Sequence, residues 1–398
     1  MRIEQIRLKN FKMFQNVTLR DVPPFAVLVG ANGSGKSTLF DVFGFLRDCL
    51  RDNVRSALAR RGGFKEVVSR GHAQETIEIE LKIKMGLEIG DRTVTYLVEI
   101  GSNKGEISVV REQLKYTRFG RGQPYYFIRF ENGSGYAIRN EGDIGPERTE
   151  EDREQQTLDS PDILAIKGLG QFQRFEAASA FRNLVENWHV SDFYISAART
   201  VQDAGFAEHL STQGENLPLV AQYLYEHHRP VFDEILKAMA ERVPGVTGVA
   251  AEETADGRIV LRFTDGSFKD PFIARYVSDG TIKMFAYLVL LHDPKAHPLL
   301  CVEEPENQLY PELLGSLAEE FSAYSRRGGQ VFVSTHSPDF LNETPFDSIF
   351  ALAKREGVTT VHRLRDDPRL RGWVGGGEKP GYLWRQGAFD AVGSDATT

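Results

Sequence analysis

The run Gly30-Ala31-Asn32-Gly33-Ser34-Gly35-Lys36-Ser37 limits what this chain can become more than any other stretch. It satisfies the spacing G-x-x-x-x-G-K-[ST] and comes after an apolar run at residues 26–29. A periodic segment comes next, with Leu39, Phe40, Val42, Phe43 and Leu46 on its inner face. A buried strand, a glycine-rich loop and a helix form the context that this motif needs. Glycines let the backbone curl until successive N–H groups converge on one anion. The positive end of the adjoining helix adds to that field. The spacing predicts a cradle for a nucleoside triphosphate made by Gly30, Ala31, Asn32, Gly33, Ser34 and Gly35. Lys36 is expected to reach the β- and γ-phosphates, Ser37 to ligate Mg2+, and Thr38 to make a further phosphate contact.

The chain has 398 residues, 41% hydrophobic and 26% charged, which is ample for a sizeable core. A formal charge of -8 gives no global field for nucleic acid, so only local basic patches could serve it. Cys49 and Cys301 lie in apolar surroundings at no metal-like spacing, and a reducing cytoplasm is the expected compartment. The first residues open a strand and show no signal-peptide core. The longest apolar run, residues 284–291, falls far short of the roughly 20 residues that span a bilayer, so no membrane partner is expected.

Residues 3–18 read as a strand pair bent near Asn10-Phe11-Lys12. Residues 76–85 alternate, with Ile77, Ile79, Leu81, Ile83 and Met85 on one face and Glu78, Glu80, Lys82 and Lys84 on the other. This pattern predicts a half-buried antiparallel strand. Residues 93–100, 107–117, 125–131 and 136–139 repeat the style between turn residues and predict an antiparallel β-subdomain. Residues 143–162 are densely charged and read as a solvated connection. Residues 172–189 and 217–243 are helical in pattern, with a strand expected at 193–197 and a hairpin at 246–263 turned at Asp256-Gly257.

From Val277 the chain reads as regular α/β: a helix to His292, a strand at 299–302, a helix at 311–326, and strands at 330–334 and 349–352. Residues after Arg365 read as irregular. The alternation of β and α predicts an α/β fold with a mainly parallel sheet, one interrupted core carrying an antiparallel β-subdomain and a helical insertion. The expected divisions are an N-terminal lobe at 1–142, a linker, helical insertion and hairpin at 143–264, a C-terminal lobe at 265–364 and a tail at 365–398.

The strand at 299–302 ends in Glu303-Glu304-Pro305-Glu306-Asn307. Glu303 is expected to act on the metal through water, and Glu304 to orient and deprotonate the attacking water as general base. The blander alternative is an acidic strand-to-helix connection in which Glu306 and Asn307 merely cap the next helix. His336 stands just past the strand at 330–334 and could hydrogen-bond the γ-phosphate or the water. Its bland alternative is a helix start with Ser337 as cap before Pro338. Ser278-Asp279-Gly280-Thr281 opens the helix toward His292 either as a plain cap or as a γ-phosphate contact made by Ser278 and the Gly280 backbone.

Taken in this order, the motifs resemble those of ABC-type ATPases. More narrowly, the chain resembles the stand-alone branch related to RecF, SMC proteins and OLD-family nucleases. The residues that carry the likeness are Ile6-Arg7-Leu8-Lys9-Asn10-Phe11-Lys12, Arg275-Tyr276-Val277-Ser278-Asp279-Gly280-Thr281, Glu304-Pro305-Glu306-Asn307-Gln308-Leu309-Tyr310-Pro311 and Ser334-Thr335-His336-Ser337-Pro338. The resemblance implies a P-loop NTPase fold with an ABC-type core and ATP hydrolysis with Mg2+. It also implies a homodimer, or a higher oligomer, that closes on ATP. Each nucleotide would lie between one phosphate loop and Ser278 and Gly280 of the partner subunit.

Departures from the pattern are Glu303 where transporter ATPases carry Asp, Gln308 and Tyr310 where relatives often have Gly and His, and Ser-Asp-Gly-Thr in place of Ser-Gly-Gly-Gln. Gln74 is a candidate for the glutamine of the loop after the first helix. The sequence holds no long coiled coil, and no Toprim-like nuclease is expected in the roughly sixty residues after His336.

The expected function is therefore an ATPase switch for a separately encoded effector (a nuclease or toxin) or for DNA, in bacterial genome maintenance or anti-phage defence. A RecF-like repair ATPase that grips duplex DNA through Arg51, Arg55, Arg60, Arg61, Arg118 and Arg121 is the alternative. A transporter ATP-binding subunit fits the signature and the middle insertion less well. A scaffold gated by nucleotide, with negligible turnover, is the non-enzymatic alternative.

Overall fold

Alternation of period two organises the first of two compact units, Met1–Trp188 with Phe350–Asp367. The computed structural model describes residues 1–87, 90–116, 125–138 and 153–389. Strand Ile77–Leu87 buries every second side chain, and Ile77, Ile79, Leu81, Ile83 and Met85 are wholly enclosed. On one side it pairs with Arg2–Phe11, which folds back as Phe14–Leu19. On the other side come Gly90–Asn103, Glu106–Tyr116, Tyr125–Glu131, Ser134–Ile138 and Arg153–Thr157, all antiparallel. The bend between the first two strands places Lys12 at φ 50. The buried Asn10 amide holds that bend by donating to Glu75 Oε2 at 2.9 Å and to the Thr76 carbonyl at 3.2 Å.

Within the segment expected as a solvated connection, Arg153–Thr157 forms an edge strand whose side chains stay exposed or half-buried. Its guanidinium at Arg153 lies 4.8 Å from the Tyr136 ring centre, and the Asp162 side chain is buried against Arg55. Register and ring contacts outweigh the local charge there. Residues 143–152 lie outside the described residues, as do Arg118, Arg121 and the ends of the expected strands at Thr117 and Arg139.

The same unit holds the fully buried strand Phe25–Val29, the helix Lys36–Arg51 and the hairpin of Ile349–Arg355 with Val358–Arg363. The second hairpin strand was not expected, because Val358 and Val361 are out of phase for one face. Its turn residues Glu356 and Gly357, at φ 50 and 85, have the sign of a tight primed turn.

Three of the basic residues considered for DNA are engaged within this unit. Arg61 is mostly buried between Asp41 at 2.7 Å and Asp48 at 2.8 Å and lies over the Phe45 ring. Arg60 meets Asp48 and Asp52, and Arg55 meets Glu106 and Asp162.

Glu112 is a fully enclosed acid of this unit. It accepts from the backbone N–H groups of Ala165 and Ile166 and from the Tyr96 hydroxyl. Burial raises its pKa from 4.5 to about 7, against the opposing pull of those donors. A carboxyl that binds its proton better in the fold than in the open chain adds stability that is full below pH 4.5. That contribution is lost as pH rises toward 7 and amounts to roughly 3 kcal/mol at most. Thermal midpoints of wild type should therefore fall across that window relative to Glu112→Gln, which keeps an acceptor but cannot ionise. Parallel pH profiles for the two proteins would refute the assignment.

The second unit comprises His189–Ile349 with Pro368–Phe389. His189–Ser191, Leu299–Glu303 and Gln330–Thr335 form parallel neighbours in that order. Helix Asp279–Leu291 is buried from Thr281 onward, whereas Glu312–Arg326 buries one face. A second, antiparallel sheet contains the expected hairpin, Val246–Glu253 with Arg258–Asp265, edged by Gln202–Asp203 and Phe272–Ile273.

Three expectations are corrected in this unit. The strand lies at His189–Ser191, and Ile195–Ala198 is a helical turn, consistent with the helix preference of Ala197 and Ala198. The helical stretch at 217–243 is two helices, Leu217–His227 and Arg229–Arg242, with Pro230 in the first turn of the second. The supposed irregular tail forms Pro368–Gly375 and Pro380–Arg385, each opening on a proline. The latter packs on Pro338–Asn342 so closely that a Cβ on Gly381 would lie 1.9 Å from the Pro338 carbonyl oxygen. Among the described residues no helix is long and apolar enough to cross a membrane.

Candidate functional site

In the first unit the buried strand Phe25–Val29 delivers the chain into the glycine-rich loop. Gly33 and Gly35 adopt φ 75 and 109, the left-handed region that glycine enters without strain. A Cβ on Gly30 would stand 2.5 Å from both the Leu352 carbonyl oxygen and Ser34 Oγ, so close packing fixes that residue too. Gly35 is the N-cap of helix Lys36–Arg51 and makes no side-chain hydrogen bond there, so the positive end of the helix adjoins the loop.

Lys36 is buried, and its Nζ donates to the carbonyls of Gly30 at 2.8 Å and Ala31 at 3.4 Å. The ammonium is thus held across the loop it would serve. Ser34 Oγ is buried with no hydrogen-bond partner among the described residues, while its carbonyl accepts from Thr359 Oγ1 at 2.8 Å. Ala31, Asn32, Gly33 and Ser37 are exposed at the rim, and Thr38 is half-buried. A buried hydroxyl with no partner among the described residues, a buried ammonium and a helix N-terminus fit a phosphate chain, and the exposed Ser37 hydroxyl fits its Mg2+. Beside the loop, Lys12, Met13, Gln15, Lys354 and Glu356 line a cleft, and a Cβ added to Gly35 would lie 3.0 Å from Met13 Sδ. Gln74 is exposed in the turn before Ile77–Leu87.

In the second unit Glu303 closes the Leu299–Glu303 strand, half-buried after four enclosed residues. Glu304 comes next at φ 41, a conformation that a side chain other than glycine's rarely takes. Its N–H donates to the Ser334 carbonyl at 2.9 Å, and its Oε2 accepts from Asn307 Nδ2 at 3.0 Å. His336 Nδ1 lies 3.4 Å from Glu304 Oε1 and 3.5 Å from Glu306 Oε1. The structure thus gathers Glu303, Glu304 and His336 at neighbouring strand ends.

Glu306 does something the sequence reading missed. One oxygen accepts from Thr335 Oγ1 at 2.6 Å, from the His336 N–H at 2.9 Å and from the Ser337 N–H at 3.2 Å. The carboxylate therefore caps the histidine turn, not the helix that comes after it in sequence. Its other oxygen is buried with no hydrogen-bond partner among the described residues. Ser337 caps Pro338–Asn342 through a bond from the Phe340 N–H, as the bland reading expected. Trp384 Nε1 donates to the His336 carbonyl at 3.2 Å.

Ser278 caps helix Asp279–Leu291 by accepting from the Thr281 N–H at 3.2 Å. Asp279 is held 2.6 Å from Arg199, which also donates to the Val277 carbonyl. Gly280 packs beside the Glu-Pro-Glu-Asn-Gln turn, where an added Cβ would meet the Gln308 carbonyl oxygen at 3.2 Å. Lys283, one turn on, donates to the Asn307 carbonyl at 2.6 Å. Burial lowers the Lys283 pKa from 10.5 to about 8, opposed by Glu306, Asp192 and Glu304. Lys283 and Arg199 were also missed; a lysine inside an apolar helix was the available signal for the first.

Residues 25–342 match a family model described as "AAA domain, putative AbiEii toxin, Type IV TA system". Among solved structures, the chain is similar to an SMC head bound to the C-winged helix domain of ScpA. The two are 16% identical with TM-score 0.52, over 91% of this chain and 97% of that one. It is likewise similar to an SMC head domain with an extended coiled coil, bound to the C-terminal domain of ScpA derived from Pyrococcus furiosus. Identity there is 13% and TM-score 0.51, over 94% of this chain and 99% of that one. These likenesses are of fold. No curated protein matches.

Proposed function

This chain belongs to that AAA-domain family, and from this premise we propose that it is an ATP-hydrolysing switch which dimerises around nucleotide and governs a separate effector. The observation that carries the reading is the joint placement of Glu304, Asn307, Glu306 and His336 at strand ends of the second unit. Gly30, Ala31, Asn32, Gly33, Ser34, Gly35 and Thr38 offer donors to the phosphates, and Lys36 adds a point charge. Ser37 would ligate Mg2+ and Glu303 would act on it through water, and the ion would supply positive charge to offset what builds on the transferred phosphoryl group. Glu304 takes a proton from the attacking water. Asn307 fixes its carboxylate by a bond to Oε2, and His336 contacts the γ-phosphate or the water. Glu306 keeps the histidine turn in register with the base.

Ser278 and the Gly280 backbone would complete the site from the other copy. In the single chain Ser278 acts as a helix cap, and Arg199 draws the Asp279 carboxylate aside. An acid beside a phosphate would be unfavourable, and this ion pair turns the carboxylate toward Arg199.

For the effector we favour a second protein, a toxin or nuclease of a defence system, over DNA. The family description names a toxin system, and the SMC heads of similar fold were solved with ScpA domains bound. Arg55, Arg60 and Arg61 are engaged by acids of their own unit, which weakens the case for a DNA face.

The test is solution mass of Glu304→Gln with and without Mg-ATP. Mass should double with ATP, and Ser278→Arg should abolish the doubling while leaving nucleotide binding intact. A mass indifferent to ATP in the slow-hydrolysing variant would refute the dimer switch.

A further inference from the structure

The second unit holds a side-chain cluster that ATP chemistry does not use. His209 lies ahead of helix Leu217–His227, whereas Asp293 and His297 lie between helix Asp279–Leu291 and strand Leu299–Glu303. One ligand atom from each of the three residues stands within 4.8 Å of the other two. His209 Nδ1 is 2.7 Å from Asp293 Oδ2, and the aspartate side chain is only 6% exposed.

We propose that His209, Asp293 and His297 bind a divalent transition-metal ion, with zinc as the best fit. Two imidazoles, which are borderline ligands, joined by one hard carboxylate suit zinc and are ill suited to Mg2+, which takes an all-oxygen shell. Bonds of about 2.0–2.2 Å in a tetrahedron set ligand atoms about 3.4 Å apart. The spacing found here brackets that value, so small side-chain rotations bring all three onto one ion.

The surroundings are those of a supported site. The second oxygen of Asp293 accepts from the Lys295 N–H at 2.8 Å, which fixes the carboxylate as outer-sphere partners do. The Lys295 ammonium is held by Glu208 at 2.7 Å. The His297 ring stacks on His189 at 4.7 Å, and its carbonyl accepts from the Tyr324 hydroxyl at 2.7 Å. His209 is 40% exposed, which leaves a path for entry and a fourth position for water.

The ion would tie the loop carrying His209 to the link that joins the Ser278 helix to the strand ending at Glu303. Occupancy would stiffen that link and add stability by mass action. A simple His–Asp hydrogen bond would join the same loops without any part for His297, and this difference decides the test.

The full-length chain, metal-free and nucleotide-free, is titrated with Co2+ alone and monitored by visible absorption. One equivalent should produce the d–d bands of a four- or five-coordinate nitrogen and oxygen site, and Zn2+ should bleach them while Mg2+ does not. Zn2+ should also raise the thermal midpoint of wild type. His209→Gln and His297→Gln should each weaken Co2+ binding by more than about tenfold, the lower end of what losing even an outer-sphere partner does. His336→Gln should bind Co2+ as wild type does, which separates this site from the nucleotide site and from failure of the ATPase reading. Absence of the bands in wild type, or equal Co2+ affinity in wild type and His209→Gln, would overturn the proposal.

Discussion

Glutamine in place of Glu304 is expected to leave ATP affinity unchanged and to lower turnover by about 10²–10⁴-fold, the range lost with a positioned general base. The substitution is close to isosteric. A glutamine carbonyl can still accept from Asn307 Nδ2, which now stands 3.0 Å from Glu304 Oε2. What disappears is the lone pair able to take a proton from water, together with the charge facing His336. Phosphate release at saturating ATP measures the loss, and titration with a fluorescent nucleotide verifies that binding survives. Turnover at the wild-type rate would remove Glu304 from the chemistry. Weakened nucleotide binding with turnover intact would make it a structural residue.

Lys36→Ala should act on the other half of the measurement, lowering ATP affinity itself by about 10- to 150-fold. That factor corresponds to the 1.5–3 kcal/mol of a hydrogen bond to a charged group. The ammonium is buried and braced by the Gly30 and Ala31 carbonyls, so its position is set before the nucleotide arrives. Preorganisation of this kind spares the ordering of a flexible lysine on binding. Because the same bonds tie the loop together, thermal midpoints without nucleotide should be measured alongside. A fall in affinity with little change in midpoint assigns the effect to phosphate binding. Unaltered affinity would refute the role of Lys36.

The phosphate loop and the acidic strand end differ in how far they could be read from sequence. Most demands on the phosphate loop are local: Gly33 and Gly35 need a positive φ and Lys36 a helix start, while Gly30 also meets the distant Leu352 carbonyl. Local demands write themselves into contiguous spacing. Strand Ile77–Leu87 was legible for a related reason, since one buried face imposes a period of two. Glu306 was not legible, because its donors lie some thirty residues away at Thr335, His336 and Ser337. Nothing near Glu306 in sequence distinguishes a cap for the next helix from a cap for a distant turn. The helices Pro368–Gly375 and Pro380–Arg385 were missed because glycine content argued against them. Pro368 and Pro380, as first-turn residues, were the signals that could have found them.

On the proposed mechanism, the backbone of Glu304 places stability and activity in opposition at one residue. A left-handed conformation at a residue with a Cβ costs on the order of 1–3 kcal/mol. Glycine would relieve that strain, yet it would also delete the carboxylate that holds Asn307 and faces His336. A screen that selects only for heat resistance would therefore be drawn to Glu304→Gly and would recover a tougher, inert protein. Thermostabilisation of this ATPase has to hold position 304 constant and look for its gains elsewhere.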